Sequence, residues 1–290
     1  MDAHHRLVAE WARLEREGRA LPIPAGAAKA RPEPRAGAPV ALLFSPHPDD
    51  EAIVGALALR LLREVGWRVV DIAVTLGSNP ARRDARWAEL EACCAQLGFE
   101  LQCAAPGGLE RVNLDARQGD PAQWARATRA IADVLAQRAP AAIFFPHAGD
   151  VNTTHVGTHH LVVDALASLG PQFSTHTLET EFWATLHTPN LLVEVTPTDL
   201  ADLMAALSCH VGEVTRNPYH AGLPAWMIDN VRRGGELVLG QGAPRPDITF
   251  ATLYRWQRWA RGAFNPVASA GRTVSSRDDV SLLFAAAHER

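Results

Sequence analysis

One pattern recurs from Val40 onward and constrains the fold more than any other feature: a short apolar run, a loop, and then a segment whose apolar residues have helical spacing. Uninterrupted apolar runs of this length are typical of strands that are buried on both faces. Serial strand–helix units with connections of crossover length favour a mostly parallel sheet. We therefore predict an α/β fold, a Rossmann-like three-layer sandwich with a mostly parallel sheet, whose active site lies at the carboxyl ends of the strands. The apolar runs cover residues 40–44, 69–76, 99–104 and 141–145.

Capping residues delimit most of the predicted helices. Asp120, Pro121 and Gln123 form an N-terminal capping pattern, and Gly66 and Gly98 each follow a helical segment. The predicted helices cover residues 4–17, 52–65, 82–97, 121–138 and 197–207. Less regular patterns predict a hairpin-like pair of strands at 182–186 and 191–195, a loop region over 208–250 that walls a pocket, and a last helix over 250–260.

A proline-rich segment separates the first helix from the α/β pattern. Residues 22–39 contain five prolines among Ala, Gly and charged residues. Proline fixes φ and lacks a backbone donor, so this composition disfavours regular structure. We assign residues 1–38 to an N-terminal helix and Pro/Ala-rich arm, residues 39–270 to a single α/β domain, and residues 271–290 to a C-terminal tail.

Charge and composition exclude several classes of function. With 28 Lys and Arg against 32 Asp and Glu, the formal net charge is −4, and no basic surplus attracts nucleic acid or an anionic membrane. The longest apolar stretch, residues 52–59, is far shorter than the roughly 20 residues that span a bilayer, and the charged N-terminus lacks the apolar core of a secretory signal. Four cysteines without CxxC spacing indicate buried thiols. We expect a cytoplasmic protein with a small-molecule substrate, no nucleic-acid partner and no membrane span, and leave a homo-oligomer open.

The first chemically unusual segment directly follows the first strand and reads His47-Pro48-Asp49-Asp50-Glu51. One imidazole and three carboxylates within five positions repel one another unless a cation or a helix N-terminus balances them. A divalent metal is the simplest explanation. The alternative is a solvated acidic turn that caps a helix, which the preceding His-Pro pair disfavours.

The second segment follows the strand at 141–145 and spans residues 147–160, with histidines at 147, 155, 159 and 160. Because parallel strands end at the same edge of a sheet, His155 or a neighbour is placed to complete a His/Asp/His set, which suits zinc with one open position. His159 and His160 fit capped or surface positions, and His159 could also orient His155.

The first segment resembles the signature of the PIG-L/LmbE-like family of zinc-dependent deacetylases, which remove the acetyl group from N-acetylglucosamine units. The resemblance extends over about residues 40–207. Residues 86–98, with Arg86, Glu89 and Leu97-Gly98, are similar to the family's "R..E…LG" helix, and Asn113-Leu114-Asp115 is similar to its substrate-side Asp.

Position by position, the resemblance implies a zinc cofactor held by His47, Asp50 and His155, with Asp49 as the general base that takes a proton from zinc-bound water. The implied reaction is attack of the resulting hydroxide on an amide carbonyl. Zinc lowers the pKa of its water towards neutrality, which fits this division of roles. Arg86 and Asp115 match positions that contact the substrate sugar; the alternatives are a surface salt bridge for Arg86 and a turn for Asp115.

The sequence departs from the family where many members read His-Pro-Asp-His and this chain reads Asn152-Thr153-Thr154-His155. Asn152 can donate a hydrogen bond to an oxyanion but cannot carry a proton, and Thr154 replaces the acidic residue beside the metal ligand. The leaving amine is then protonated by Asp49 or by another histidine. His210 is the first candidate, with simple C-capping as its alternative; His147 and His220 follow.

These features predict a zinc-dependent N-deacetylase that acts on an N-acetylated amino sugar or sugar conjugate. Two alternatives stay open: the same metal amidase acting on a non-sugar N-acyl amine or the amide of a thiol conjugate, and a non-catalytic metal-binding relative. The presence of Asp49, which has no role as a metal ligand, disfavours the non-catalytic alternative. A dinucleotide-binding protein is disfavoured, because no G-x-G-x-x-G follows the first strand.

Overall fold

The computed structural model describes residues 2–21 and 36–285, so most of the predicted Pro/Ala-rich arm lies outside the described residues. The strands are β1 (Val40–Ser45), β2 (Arg68–Ala73), β3 (Glu100–Cys103), β4 (Ala142–Pro146), β5 (Thr175–Thr180), β6 (Leu191–Val195), β7 (Phe250–Ala260), β8 (Ala263–Pro266) and β9 (Arg272–Val274). The helices are α1 (Ala3–Arg19), α2 (Asp50–Val54), α3 (Ala56–Val65), α4 (Arg83–Leu97), α5 (Leu114–Gly119), α6 (Pro121–Arg138), α7 (Thr153–Ser168), α8 (Pro197–Leu207), α9 (Val211–Arg216), α10 (Tyr219–Leu239) and α11 (Leu282–Ala285), with a 3-10 turn at Pro80–Arg82.

The strands form one sheet in the order β3-β2-β1-β4-β5-β7-β6-β9, with β8 paired to β7. From β3 to β5 every neighbouring pair is parallel. The chain proceeds outward from β1 through β2 to β3, then returns to the other side of β1 with β4. This reversal of strand order makes the carboxyl ends of β1 and β4 a topological switch point, where α/β sheets bind ligands.

Helices cover both faces of the sheet, which confirms the predicted mostly parallel α/β sandwich. Along β1, Leu43 packs into the cluster beneath α3, α4 and α8, whereas Leu42 and Phe44 pack into the cluster beneath α6 and α7. All three side chains are buried. The uninterrupted apolar run in the sequence therefore corresponds to a strand covered on both sides.

The helix predicted over residues 52–65 begins earlier and is divided at Gly55 into α2 and α3. The hydroxyl of Tyr254, on β7, donates to the Val54 carbonyl at 3.0 Å and accepts from the Leu57 amide at 3.3 Å. The tyrosine thus satisfies backbone groups that the break exposes.

The predicted hairpin is wrong. Residues 182–186 form no strand; the strand in this region is β5, and β7 lies between it and β6, antiparallel to both. β5 and β6 are close in sequence, but in the sheet they are separated by β7, which comes much later in the chain. β-Branched threonines at 175, 177 and 180 were the signal for β5.

The predictions for residues 208–260 are also wrong. The expected loop region contains α9 and α10, and the expected last helix is the long strand β7. Pro224 and the glycines of α10 obscured a helix whose Leu223, Met227 and Val231 are buried at i, i+4 and i+8. Gly234 permits close packing, because a Cβ there would lie 2.8 Å from Leu192.

Residues 271–285, assigned to the tail, contribute to the domain. β9 pairs with β6, and Leu283 and Phe284 are buried. Arg60, which is 1% exposed, donates to the carbonyls of Ser275 and Asp278 at 3.0 and 3.2 Å and so fixes this segment against α3. Within residues 2–21 and 36–285, none of the helices combines the length and apolar character that crossing a membrane requires.

Candidate metal centre and cleft

Three side chains converge at the carboxyl edge of the sheet between β1 and β4. His47 lies in the loop after β1, Asp50 begins α2, and His155 lies in the first turn of α7. His47 Nδ1 and His155 Nε2 are 3.3 Å apart, and each lies 3.4 Å from Asp50 Oδ2. The structure therefore brings the three predicted ligands together.

The spacing of these atoms fits a bound cation. Ligand atoms at zinc distances of about 2.0–2.1 Å in a tetrahedral arrangement are about 3.3–3.4 Å from one another. Two imidazole nitrogens that face each other beside a carboxylate are also a typical donor set for a divalent transition metal. A zinc ion held by these three side chains would keep one coordination position for water or substrate, as catalytic zinc sites do.

Asp150 supplies the acidic partner of His155, which the sequence analysis missed. Its Oδ2 lies 3.6 Å from His155 Nδ1, the ring nitrogen that faces away from the triad. The Asp150 carboxylate is held by the backbone amides of Asn152 and Trp183 at 2.8 and 3.2 Å. A carboxylate at this position fixes the ring orientation and the tautomer of a metal-binding histidine. Its place five residues before His155, in the loop that leads into α7, was the available signal.

Asp49 borders the triad without belonging to it. Its backbone is in the left-handed region, with φ of 116°, and its side chain lines the cleft described below. Arg86 Nη2 lies 3.7 Å from Asp49 Oδ2 and donates to the Pro48 carbonyl at 2.8 Å. Burial and the neighbouring Asp50 carboxylate raise the pKa of Asp49 well above its usual value, against the opposing effect of Arg86.

A cleft of about 1250 Å³ opens over these residues. Its floor includes His47, Asp49, Asp50 and His155, and its walls come from distant parts of the chain: Arg19 on α1, Asn113 before α5, Trp183 after β5 and Tyr219 on α10. Helix α1 reaches this wall because Gly18 packs against Ala221. The predicted loop wall is thus formed by helices.

Two of the remaining predicted site residues line the cleft. Arg86 extends into it beside Asp49, as described above. Asn152 also lines it, but its side-chain oxygen caps α7 by accepting from the amides of Thr154 and His155 at 2.9 and 3.4 Å. This contact orients the helix that carries His155.

Asp115 and His210 are not brought into the cleft. Asp115 is exposed in the first turn of α5 and is absent from the cleft lining. His210 is 0% exposed and contacts Glu51 Oε1 at 2.6 Å behind the site. Burial between α8 and α9, which the sequence did not indicate, keeps it out of the cleft.

The other candidate proton donors also lie outside the cleft. His147 Nε2 contacts the Ala184 carbonyl at 2.9 Å, and His220 is buried on α10. His159 contacts the Pro146 carbonyl and Glu179 rather than His155. Among the described residues, the histidines that line the cleft are His47 and His155.

Comparison with known families places most of this site within one recognised domain. Residues 42–166 match the model of the PIG-L family, described as GlcNAc-PI de-N-acetylase. The matched region includes β1, the triad and Asp49. No curated protein sequence matches the chain.

Several solved structures share the fold. The N,N'-diacetylchitobiose deacetylase from Pyrococcus horikoshii superimposes with a TM-score of 0.55 at 16% identity, over 92% of this chain and 98% of that one. The zinc-inhibited form of a teicoplanin deacetylase gives 0.54 at 13% identity, over 79% and 100% of the two chains. The 4-carboxy-2-hydroxymuconate hydratase from Pseudomonas putida gives 0.54 at 17% identity, over 75% and 95%. Since a hydratase shares this architecture, the reaction must be argued from the site itself.

Proposed function

We propose that the protein, whose residues 42–166 match the PIG-L family model, is a metal-dependent deacetylase that hydrolyses the N-acetyl group of an amino sugar or sugar conjugate. The observation that carries this proposal is the triad of His47, Asp50 and His155, whose ligand atoms are 3.3–3.4 Å apart beside the Asp49 carboxylate. A bound zinc ion would polarise the amide carbonyl and lower the pKa of a water molecule, which is the chemistry that amide hydrolysis needs.

Asp49 is the general base in this proposal. A carboxylate whose pKa is raised by burial and by Asp50 accepts a proton more readily at neutral pH than an exposed aspartate does. Arg86, 3.7 Å from Asp49 Oδ2, limits the rise and orients the carboxylate. Since the cleft histidines of the described chain are both triad members, Asp49 also returns the proton to the leaving amine.

Asn152 and Asp150 support the triad rather than the proton transfer. Asn152 uses its side-chain oxygen to cap α7, and Asp150 lies against the outer nitrogen of His155. Together they set the direction of the His155 ring. The acidic residue replaced by Thr154 is therefore supplied from Asp150, and the triad does not depend on the family's usual spacing.

The cleft favours a sugar conjugate over a free monosaccharide. Trp183 is 54% exposed at the cleft wall and packs edge-to-face on Tyr219, with ring centroids 5.5 Å apart. Exposed aromatic faces of this kind suit the apolar face of a sugar ring. The volume of about 1250 Å³ exceeds the roughly 300–1,000 Å³ typical of small-ligand pockets, so space remains for a second group.

Two variants test the assigned roles. Asp49→Ala should retain the metal and lower kcat by about 10²–10⁴-fold, since the ligands remain and the base is lost. His155→Ala should lose the metal, as measured by elemental analysis of the purified protein. Unchanged turnover in Asp49→Ala would remove the proposed base, and full metal occupancy in His155→Ala would overturn the ligand assignment.

A further inference from the structure

The peptide bond between Pro48 and Asp49 is held at both ends by side chains outside the triad. Its N–H, on Asp49, donates to Glu51 Oε2 at 2.9 Å, and its C=O, on Pro48, accepts from Arg86 Nη2 at 2.8 Å. The rotation of this peptide sets φ of Asp49, which is 116°. Residues other than glycine rarely adopt such a φ, so these two hydrogen bonds oppose a return to the ordinary conformation.

Glu51 is in turn held by His210. His210 Nε2–H donates to Glu51 Oε1 at 2.6 Å, and both residues are 0% exposed. Both carboxylate oxygens of Glu51 are therefore engaged, one by the Asp49 amide and one by the imidazole. A buried carboxylate that lost either partner would bear an uncompensated desolvation cost, so the arrangement has little freedom to shift.

The corner between α8 and α9 connects to both ends of the peptide. His210 caps α9, where its carbonyl accepts from the amides of Glu213 and Val214 at 3.0 Å. Glu213 on the same helix lies 3.9 Å from Arg86 Nη1 and 2.9 Å from Arg82 Nη2. The segment that joins α8 and α9 therefore contacts Glu51 through His210 and Arg86 through Glu213.

Cys93 on α4 completes this buried cluster, and the three side chains also have the composition of a metal site. The hydrogen bonds within the cluster favour a positioning role over a metal, because both oxygens of Glu51 are already occupied by the Asp49 amide and the His210 imidazole.

We propose that Glu51 and His210 are positioning residues that hold Asp49 in its left-handed conformation and so aim its carboxylate into the cleft rather than at the metal ligands. The inference rests on the proposed function, in which Asp49 is the base. Neither residue lines the cleft, so neither touches the substrate. Their loss should affect the proton transfer and leave substrate binding and metal content intact.

His210→Phe removes the donor and keeps a ring of similar size. In metal-loaded protein we expect kcat to fall by about tenfold to hundredfold, because displacement of a catalytic group by about 1 Å has effects of that size, with KM changed by less than about threefold. His210→Gln, which retains a side-chain N–H, should recover much of the loss. Glu51→Leu, which removes the acceptor of the Asp49 amide, offers a second test at the same contact.

Double variants and a remote control separate positioning from general destabilisation. In an Asp49→Ala background, His210→Phe should cause no further loss, because the group it positions is absent. Leu135→Ala, a fully buried change in the cluster on the other face of the sheet, should lower stability without lowering kcat of the folded, metal-loaded protein. Unchanged kcat in His210→Phe, or an equal loss in both backgrounds, would overturn the proposal.

Amide hydrogen exchange and the metal content of the purified protein test the proposal without a substrate. The Asp49 amide should exchange faster in Glu51→Leu and His210→Phe than in the wild type, because its acceptor is lost in the first variant and loosened in the second. Unchanged exchange would refute the positioning role. A second metal ion per chain that disappears in His210→Phe would instead assign the cluster to a metal. If the wild type releases no amine from any acylated compound, the proposed function fails, and the exchange rates still test the positioning of the peptide.

Discussion

The left-handed backbone of Asp49 predicts an unusual order of stability among its variants. A residue with a Cβ at positive φ costs about 1–2 kcal/mol relative to glycine, and glycine loses about 0.5–1 kcal/mol through the greater freedom of its unfolded chain. With φ of 116° at Asp49, Asp49→Gly should therefore be more stable than Asp49→Ala by about 1 kcal/mol. For a chain of this size that difference corresponds to roughly 2–4 °C in Tm.

Thermal unfolding of the two metal-loaded variants measures this difference, since both lack the same carboxylate and keep the same ligands. Asp84, exposed in the first turn of α4, provides the matched control. There the order should reverse, with Asp84→Ala more stable than Asp84→Gly by about 1 kcal/mol. Equal stability of the two Asp49 variants, or a more stable Ala variant, would refute the left-handed conformation and the positioning argument built on it.

Three further predictions concern the surroundings of the site. Asp150→Asn should weaken metal binding by about tenfold to hundredfold, because His155 loses the carboxylate against its outer nitrogen; a competition titration with a chromophoric chelator measures this, and unchanged affinity would contradict the role of Asp150. Arg60→Met should lower the free energy of unfolding by about 3 kcal/mol, since the carbonyls of Ser275 and Asp278 lose their buried donor. Arg63→Met, at a part-exposed pair, should cost less than about 1 kcal/mol, and equal effects of the two variants in urea unfolding would contradict the anchoring. Burial raises the pKa of Glu179 to about 7, so the folded protein retains a proton that the unfolded chain releases near pH 4.5. The stability that this group contributes is fully present below pH 4.5 and is lost as the pH rises through 7. Glu179→Gln should therefore stabilise the protein more at pH 8 than at pH 5, by on the order of 2 kcal/mol, and a difference that does not vary with pH would contradict this.

The parallel half of the fold and the triad could be predicted because both follow from local patterns. Apolar runs and capping residues located β1 to β4, and the rule that parallel strands end at one edge brought His47 and His155 together although they lie 108 residues apart. The Asp49 conformation had no such signal, since positive φ in a non-glycine residue depends on contacts from Glu51 and Arg86.

The second half of the sheet could not be predicted from local patterns. β7 lies between β5 and β6 through pairings with strands more than 50 residues earlier, and its register is set by the sheet rather than by its own sequence. The burial of His210 has the same origin. A histidine at a helix end is equally compatible with a cap, a catalytic group or a buried partner, and only the packing of α8 against α2 selects Glu51 as its neighbour.

Chelator-sensitive amine release tests the central claim most directly. Metal content of the purified protein should be measured together with amine release from N-acetylated amino sugars, their conjugates and simple N-acyl amines, before and after chelation and again after zinc is restored. We predict about one metal ion per chain and release from the sugar compounds that chelation abolishes and zinc restores. Release that persists in fully metal-free protein, or a metal-loaded protein that releases no amine from any of these compounds, would contradict the account.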